Sequence, residues 1–434
     1  MKQYDSYKDS GIEWIGKIPS HWDCVRLKFY CAPLKSGGTP KSDDQRFYSS
    51  EGTPWVAISD MSSTTFIYDT EKHLTKEGIE DKRLVIYPVG TLLYSIYATL
   101  GKVSELKVPA CINQAILAIS PKSEYNRVYF RYCLQTQEQF VFSLSNGNTQ
   151  NNLNADKVAN FNLVLPPLSE QQNIATYLEE KCGEIDKAIA TQEKRVELLK
   201  ELRQNIITQA VTRGIHPDAP LKDSGVEWIG EVPEHWEVMK TSLIYSNIGS
   251  GTTPSTSNTA YYTEGEDGFF WLQTGDLNDG EINNTSKKIT EIAIKECNLK
   301  FYPVNSVVIA MYGATIGKVG LLKIKTATNQ ACCVLPHSNK MIPNFSFYLY
   351  LSAKTPMLLE AMGGGQPNIS QDIIKKLRIP VPPLSEQQEI VSYIESQTAR
   401  LDKSIEKAEH QIELLQELKQ SVITEVVTGK RKVC

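Results

Sequence analysis

The sequence predicts an α+β protein made twice over. Two tandem, similar domains each run into a long helix, and the helices pair antiparallel as a coiled coil, giving the whole an approximate two-fold symmetry. Three observations predict this. The heptapeptide Pro-Pro-Leu-Ser-Glu-Gln-Gln stands at Pro166–Gln172 and again at Pro382–Gln388. Further segments recur in the same order at a nearly constant distance. After each heptapeptide comes a stretch rich in Glu, Lys, Leu, Ile and Gln that lacks proline. The division is a first domain over residues 1–168, a helix over 169–214, a second domain over 215–384 and a second helix over 385–434.

The domains come first in each copy. KDSGIEWIG (Lys8–Gly16) returns as KDSGVEWIG (Lys222–Gly230), IPSHW (Ile18–Trp22) as VPEHW (Val232–Trp236), and SGGTP (Ser36–Pro40) as SGTTP (Ser250–Pro254). YATLGKV (Tyr97–Val103) returns as YGATIGKV (Tyr312–Val319), and the tripeptide NQA at Asn113 recurs at Asn329. The offset drifts from 214 to 216, so small insertions separate two diverged copies of one module. Short β-rich runs such as Pro54–Ile58 and Leu84–Tyr97, the latter broken by turn residues at Pro88–Gly90, precede helical stretches at Tyr125–Ser145 and Phe345–Met362. Trp14 and Trp22, echoed by Trp228 and Trp236, sit among Ile12, Ile15 and Ile18, which favours core packing over base-stacking platforms.

The helices come second. Residues 169–213 hold one glycine, Gly183, and residues 385–428 none. The heptapeptide is read as a helix start, with the prolines holding the incoming chain extended, Ser169 capping, and Gln172 bonding back to the cap. A helix of about 45 residues reaches about 65 Å and needs a partner along most of its length. Leu178, Ile185, Leu199 and Ile206 share one heptad position, interrupted by Gln192, and Cys182, Ile189 and Val196 share the other. Ile394, Leu401, Ala408, Leu415 and Val422, with Ile405, Ile412 and Val426, form the matching seams. The first helix carries the chain away from domain one, so the second packs on it only by returning. Two related but unlike heads held at a set distance suit a ligand with two-fold-related, helically spaced sites, as B-DNA has.

Composition narrows the classes. A chain of 434 residues exceeds a single core and fits domains of about 100 to 200 residues. No apolar run approaches the roughly 20 residues that span a bilayer, and Met1–Ser10 lacks a signal-peptide core, so a cytoplasmic place with no membrane partner is expected. Nine cysteines without a Cys-x-x-Cys pair read as reduced thiols, and six histidines without metal spacing make a metal site unexpected. Residues 1–168 carry 18 basic and 17 acidic side chains and residues 215–384 carry 14 and 16, a balance that neither favours nor forbids DNA.

Loops at repeated positions supply the candidate contacts. Small residues in SGGTP and SGTTP allow close backbone approach, and Gly38, Thr39, Lys41, Thr252 and Thr253 could meet phosphate or base edges. Gly313–Val319 resembles a phosphate loop only superficially: three residues separate Gly313 from Gly317 where four are needed, and Val319 replaces the hydroxyl residue. It reads as a tight turn between strands, with Tyr97, Lys102, Tyr312 and Lys318 as possible DNA contacts. Ser145–Asn154 and Gly363–Ser370 are dense in amides suited to adenine, giving Asn146, Asn148, Gln150, Gly364, Gln366 and Asn368 as candidates, although loop composition alone accounts for them as well.

The ordered set of repeated motifs, the Pro-Pro-Leu-Ser-Glu-Gln-Gln junctions above all, closely resembles the DNA specificity (S) subunits of type I restriction-modification enzymes over nearly the whole chain. The resemblance implies that each domain is a target recognition domain reading half of a bipartite, asymmetric site in double-stranded DNA. It also implies that the helices set the nonspecific gap and that two methyltransferase (M) subunits and then restriction (R) subunits dock. The chain itself would carry no catalytic residue and no cofactor, with S-adenosylmethionine on M and ATP and Mg on R. The alternatives are a methyltransferase or nuclease with its own site, or a structural coiled-coil scaffold. Against the first, neither an Asn/Asp-Pro-Pro-aromatic signature nor a glycine-rich cofactor loop after a strand is present; Leu168 and Leu384 follow the two Pro-Pro pairs.

Overall fold

Each repeated apolar run becomes a strand whose side chains are covered on both faces: Leu92–Ser95, Val103–Leu106 and Ile116–Ile119 are buried at every position. The computed structural model describes residues 3–62, 64–97, 99–145, 153–265, 267–361 and 368–433, with 138–145 described by backbone alone. In the first domain a five-stranded sheet runs in the order Lys35–Ser36, Ile116–Ile119, Leu92–Ser95, Val103–Leu106, Phe66–Ile67. All its pairs are antiparallel except the last. The second domain repeats it with Gly249–Ser250, Cys332–Leu335, Val307–Ala310, Val319–Leu322 and Gly280–Ile282.

A second sheet differs between the copies. In the first domain Tyr48–Val56 is one bulged strand, Tyr48 and Thr53 both facing Leu74. In the second domain the same stretch is two strands, Tyr262–Thr263 and Phe269–Leu272, both paired to Lys287–Ile289. The second copy has two more residues between its tyrosine and its tryptophan here, eight between Tyr262 and Trp271 against six between Tyr48 and Trp55. The Gly313–Gly317 segment is a turn between strands, with φ of +88° and +76° at those glycines. Trp22 and Trp236 are fully buried, and Trp14 and Trp228 half-buried. The first helical stretch forms as Arg127–Ser145; its counterpart is two helices, Pro343–Ser352 and Lys354–Ala361.

The long helices run Leu168–Arg213 and Leu384–Val427. The expected capping box does not describe their starts. The first helix already begins at Leu168, so Ser169 lies inside it, and Ser169 and Gln172 are both exposed. Glu170 and Gln171 fasten it instead: Glu170 accepts a hydrogen bond from Trp22 Nε1 at 3.0 Å and pairs with His21 at 2.6 Å. Buried Gln171 donates to the Pro166 carbonyl at 2.9 Å and accepts from the Asn126 amide at 3.0 Å. The second copy repeats both devices, with Trp236 and His235 on Glu386 and with Gln387 between the Pro382 carbonyl and the Ile342 amide. The heptapeptide is therefore a clamp between head and helix, which an outward-facing cap would not be.

Two compact units result, Met1–Glu193 with His410–Cys434, and Lys194–Glu409, so the division crosses both long helices. In the first unit Leu178, Cys182, Ile185, Val422 and Val426 are buried, with Ile189, Ile412 and Leu415 half-buried. Numbering rises on one segment as it falls on the other: Arg431 stacks over Tyr177, and Lys419 pairs with Asp186 at 2.6 Å. The helix segments of this unit are thus antiparallel. In the second unit Val196, Ile394, Ile405 and Ala408 are buried, and Leu199 and Leu401 half-buried. Pairs of Lys200 with Glu409 and Arg203 with Asp402, each at 2.9 Å, give the same antiparallel sense.

One seam position differs from the heptad reading. Ile206 is only half-buried, whereas Ile207 is fully buried. Here the helix joins the second head's core through Ala210, which continues the seam, and through Ile207 and Val211 beside it, so the buried stripe widens where the helix meets the head. Correspondingly, Val422, Ile423, Val426 and Val427 complete the first head's core.

Candidate nucleic-acid interface

In the first unit the SGGTP loop lies on the NQA segment. Gly37 and Gly38 amides donate to the carbonyls of Asn113 and Ile112 at 3.2 and 3.1 Å. A Cβ at Gly37 would fall 1.7 Å from the Ile112 carbonyl oxygen, so only glycine fits. Thr39 Oγ1 then donates to Gln114 Oε1. Trp55 Nε1 donates to the Gly38 carbonyl at 3.0 Å and Tyr48 Oη to the Pro40 carbonyl at 3.0 Å, so the loop is held from below by two aromatic donors. Tyr97 is exposed beside this cluster, since the preceding Ile96 amide donates to the Ala115 carbonyl at 2.9 Å.

The second unit builds the same arrangement from the same types of side chain, with Thr252 in place of Gly38. Gly251 and Thr252 amides bond the Asn329 and Thr328 carbonyls, and Thr253 Oγ1 donates to Gln330 Oε1. Trp271 Nε1 reaches the Thr252 carbonyl at 3.2 Å and Tyr262 Oη the Pro254 carbonyl at 2.7 Å. The Ile369 amide donates to the Met311 carbonyl at 2.8 Å, which brings exposed Asn368 next to Tyr312.

The remaining candidates scatter. Lys41 is exposed at the end of the SGGTP loop. Nearby, the Arg46 guanidinium forms two hydrogen bonds to Asp44, at 3.0 and 2.7 Å, and its backbone amide a third at 3.2 Å, which together hold that carboxyl down at about 2. Lys102 lines a cavity of about 360 Å³ together with Thr64, Gln135, Asp186, Gln416 and Lys419. Lys318 is half-buried in the strand turn. Asn146, Asn148, Gln150, Gly364 and Gln366 lie outside the described residues. Gln114 and Gln330, which hold Thr39 and Thr253, are not among the sequence candidates although they stand in the NQA repeat; Tyr48 and Tyr262, eight residues past the loop proline in both copies, carry the same repeat signal.

Among the described residues no group of His, Cys, Asp or Glu could hold a metal, and no helix is long and apolar enough to cross a membrane. The arrangement offers hydroxyls, amides and, in the first unit, the exposed ring of Tyr97 at strand ends, groups suited to base and phosphate contact.

Known proteins carry this architecture. The profile of the type I restriction modification DNA specificity domain matches residues 19–200 and 233–414. The chain therefore belongs to that family and holds two of its domains in tandem. The type I restriction enzyme MjaIX specificity subunit of Methanocaldococcus jannaschii is 24% identical over 96% of this chain and 95% of its own. The EcoBI specificity subunit of Escherichia coli is 25% identical over 74% of this chain and 69% of its own. Among solved structures, a chain from a study of complex assembly and conformational transition in the type I R-M system superposes with a TM-score of 0.69. That match covers 94% of this chain and 98% of the other at 17% identity, a likeness of fold.

Proposed function

We infer that the chain is the sequence-reading subunit of a type I restriction-modification enzyme, each head reading one half of a bipartite site in duplex DNA. The long helices set the gap between the halves. Two M subunits bring S-adenosylmethionine and R subunits bring ATP and Mg, while this chain performs no chemistry itself and works in the cytoplasm. The observation that carries the reading is the repeated loop frame: SG-x-TP on NQA, held by a Trp and a Tyr, built alike in both units but surrounded by different side chains. One frame with two sets of contacts suits two unlike half-sites.

Support for two M subunits comes from exposed leucines at matched places on the long helices, Leu198 and Leu202 in one unit and Leu414 and Leu418 in the other. Co-expression with the M partner and sequencing of the methylated sites tests the reading. A single bipartite motif is expected; methyl transfer to DNA by the purified chain alone would overturn the non-catalytic assignment.

A further inference from the structure

Beside the loop frame, each unit carries a polar groove at the same place in its second sheet. The first unit's groove measures about 540 Å³ and the second unit's about 700 Å³. Both are floored by a tyrosine whose hydroxyl is tied to the loop proline carbonyl, so the groove is continuous with the frame described above. In both, a lysine ammonium stands over that ring, Lys72 at 5.9 Å from Tyr48 and Lys287 at 5.8 Å from Tyr262. Strand register makes the two lysines equivalent, since Lys72 faces Trp55 and Lys287 faces Trp271, and Asn284 and Thr285 add to the lining of the second groove alone.

The duplication separates what holds the groove from what differs within it. Tyrosine and lysine are common to both. Ser42, Gln45 and Ser49 in the first become Thr256, Thr259 and Thr263 in the second. Ser50, Glu71 and His73 become Glu264, Ser286 and Lys288. Every replacement changes the size, charge or hydrogen-bonding pattern of a polar side chain while leaving it polar. A groove kept only for packing would turn apolar somewhere; a groove that held phosphate alone would have no need to change its walls, because the phosphate backbone is the same at every sequence. Gln and Lys are side chains that distinguish base edges in the major groove.

Building on the reading of the chain as a specificity subunit, we propose that these paired grooves are where each head reads base edges. The shared Tyr–Lys floor holds the DNA, and the six differing positions determine which half-site each head prefers. Lys72 and Lys287 contribute binding that is indifferent to sequence, whereas Gln45 and His73 in one head, and Thr259 and Lys288 in the other, discriminate.

The test uses the full chain in complex with its M partner and a panel of duplexes varied base by base in one half-site at a time. A first variant carries Gln45→Thr, Ser49→Thr and His73→Lys; a second carries Thr259→Gln, Thr263→Ser and Lys288→His. All six positions lie at or near the surface, and thermal melting confirms folding. The first variant is expected to lose about tenfold or more in binding to the original site and to change base preference in one half-site only. The second should do the same in the other half-site, and Lys72→Ala should weaken binding across the whole panel without changing preference. Unchanged preferences in both exchange variants, or a uniform loss across the panel, overturn the groove assignment. A wild-type complex with no preference for any bipartite site overturns instead the specificity-subunit reading on which it rests.

Discussion

Glu170 shows how much depends on single side chains. It accepts a hydrogen bond from the indole N–H of a fully buried tryptophan and pairs with the ring of His21 at the point where the head meets its helix. Glu170→Gln removes the charge from both bonds and is expected to cost about 1–3 kcal/mol, read from urea unfolding followed by tryptophan fluorescence. Burial also governs the thiols. It pushes Cys31 and Cys111 up to about 11, and Cys133 and Cys333 up to about 12, from an ordinary 9.0. These cysteines should resist iodoacetamide at pH 8 until the protein unfolds, as mass spectrometry of modified peptides will report. The same shifts set a pH trend. An unfolded chain releases these protons near pH 9 while the folded one keeps them, so this contribution is complete below pH 9 and is lost as pH rises through about 11 and then about 12. Buried tryptophans and free thiols were legible in the sequence. The bond of Thr39 to Gln114 was not, because 75 residues separate partners that meet only when loop and strand are in place.

The long helices were the most legible elements. Absence of proline and two apolar seams placed both helices, although the second, expected to run to residue 434, ends at Val427 just before Gly429 turns to φ +72°, and each unit pairs its segments antiparallel as the connectivity required. Their entrance was misread because capping boxes and tertiary clamps use the same residue types, and only the depth of Gln171 and Gln387 tells them apart. Near the boundary of the first unit, Gln192 interrupts the seam with a buried carbonyl oxygen that has no hydrogen-bond partner. A polar residue at such a position fixes register at the expense of stability. Gln192→Leu should therefore stabilise the chain by about 1 kcal/mol, visible as a raised melting temperature; a lowered one would show that the glutamine is satisfied in solution.

Across the whole molecule, the proposed spacing role makes a metric prediction. Inserting four residues after Gln192 and four after Ala408 adds about 6 Å to both helices, and the gap in the methylated site should grow by about one or two base pairs at about 3.4 Å each. Sequencing of methylated sites reads this out, and an unchanged gap would remove the helices from that role. The repeat alone makes the two-domain plan readable. How each head's core is finished was not readable, because Val422–Val427 and Ile207–Val211 look like further turns of coiled coil until the surfaces they fill are seen.

That sharing of helix ends bears on synthesis. The second unit is continuous in the chain, Lys194–Glu409, whereas the first waits for residues 410 onward. A ribosome that has finished translating Glu409 has supplied everything the later head needs, while the earlier one still lacks the four aliphatic side chains that close it. The head made first is the head completed last: a chain stopped at Glu409 holds every residue of the second unit and lacks Val422, Ile423, Val426 and Val427 of the first head's core.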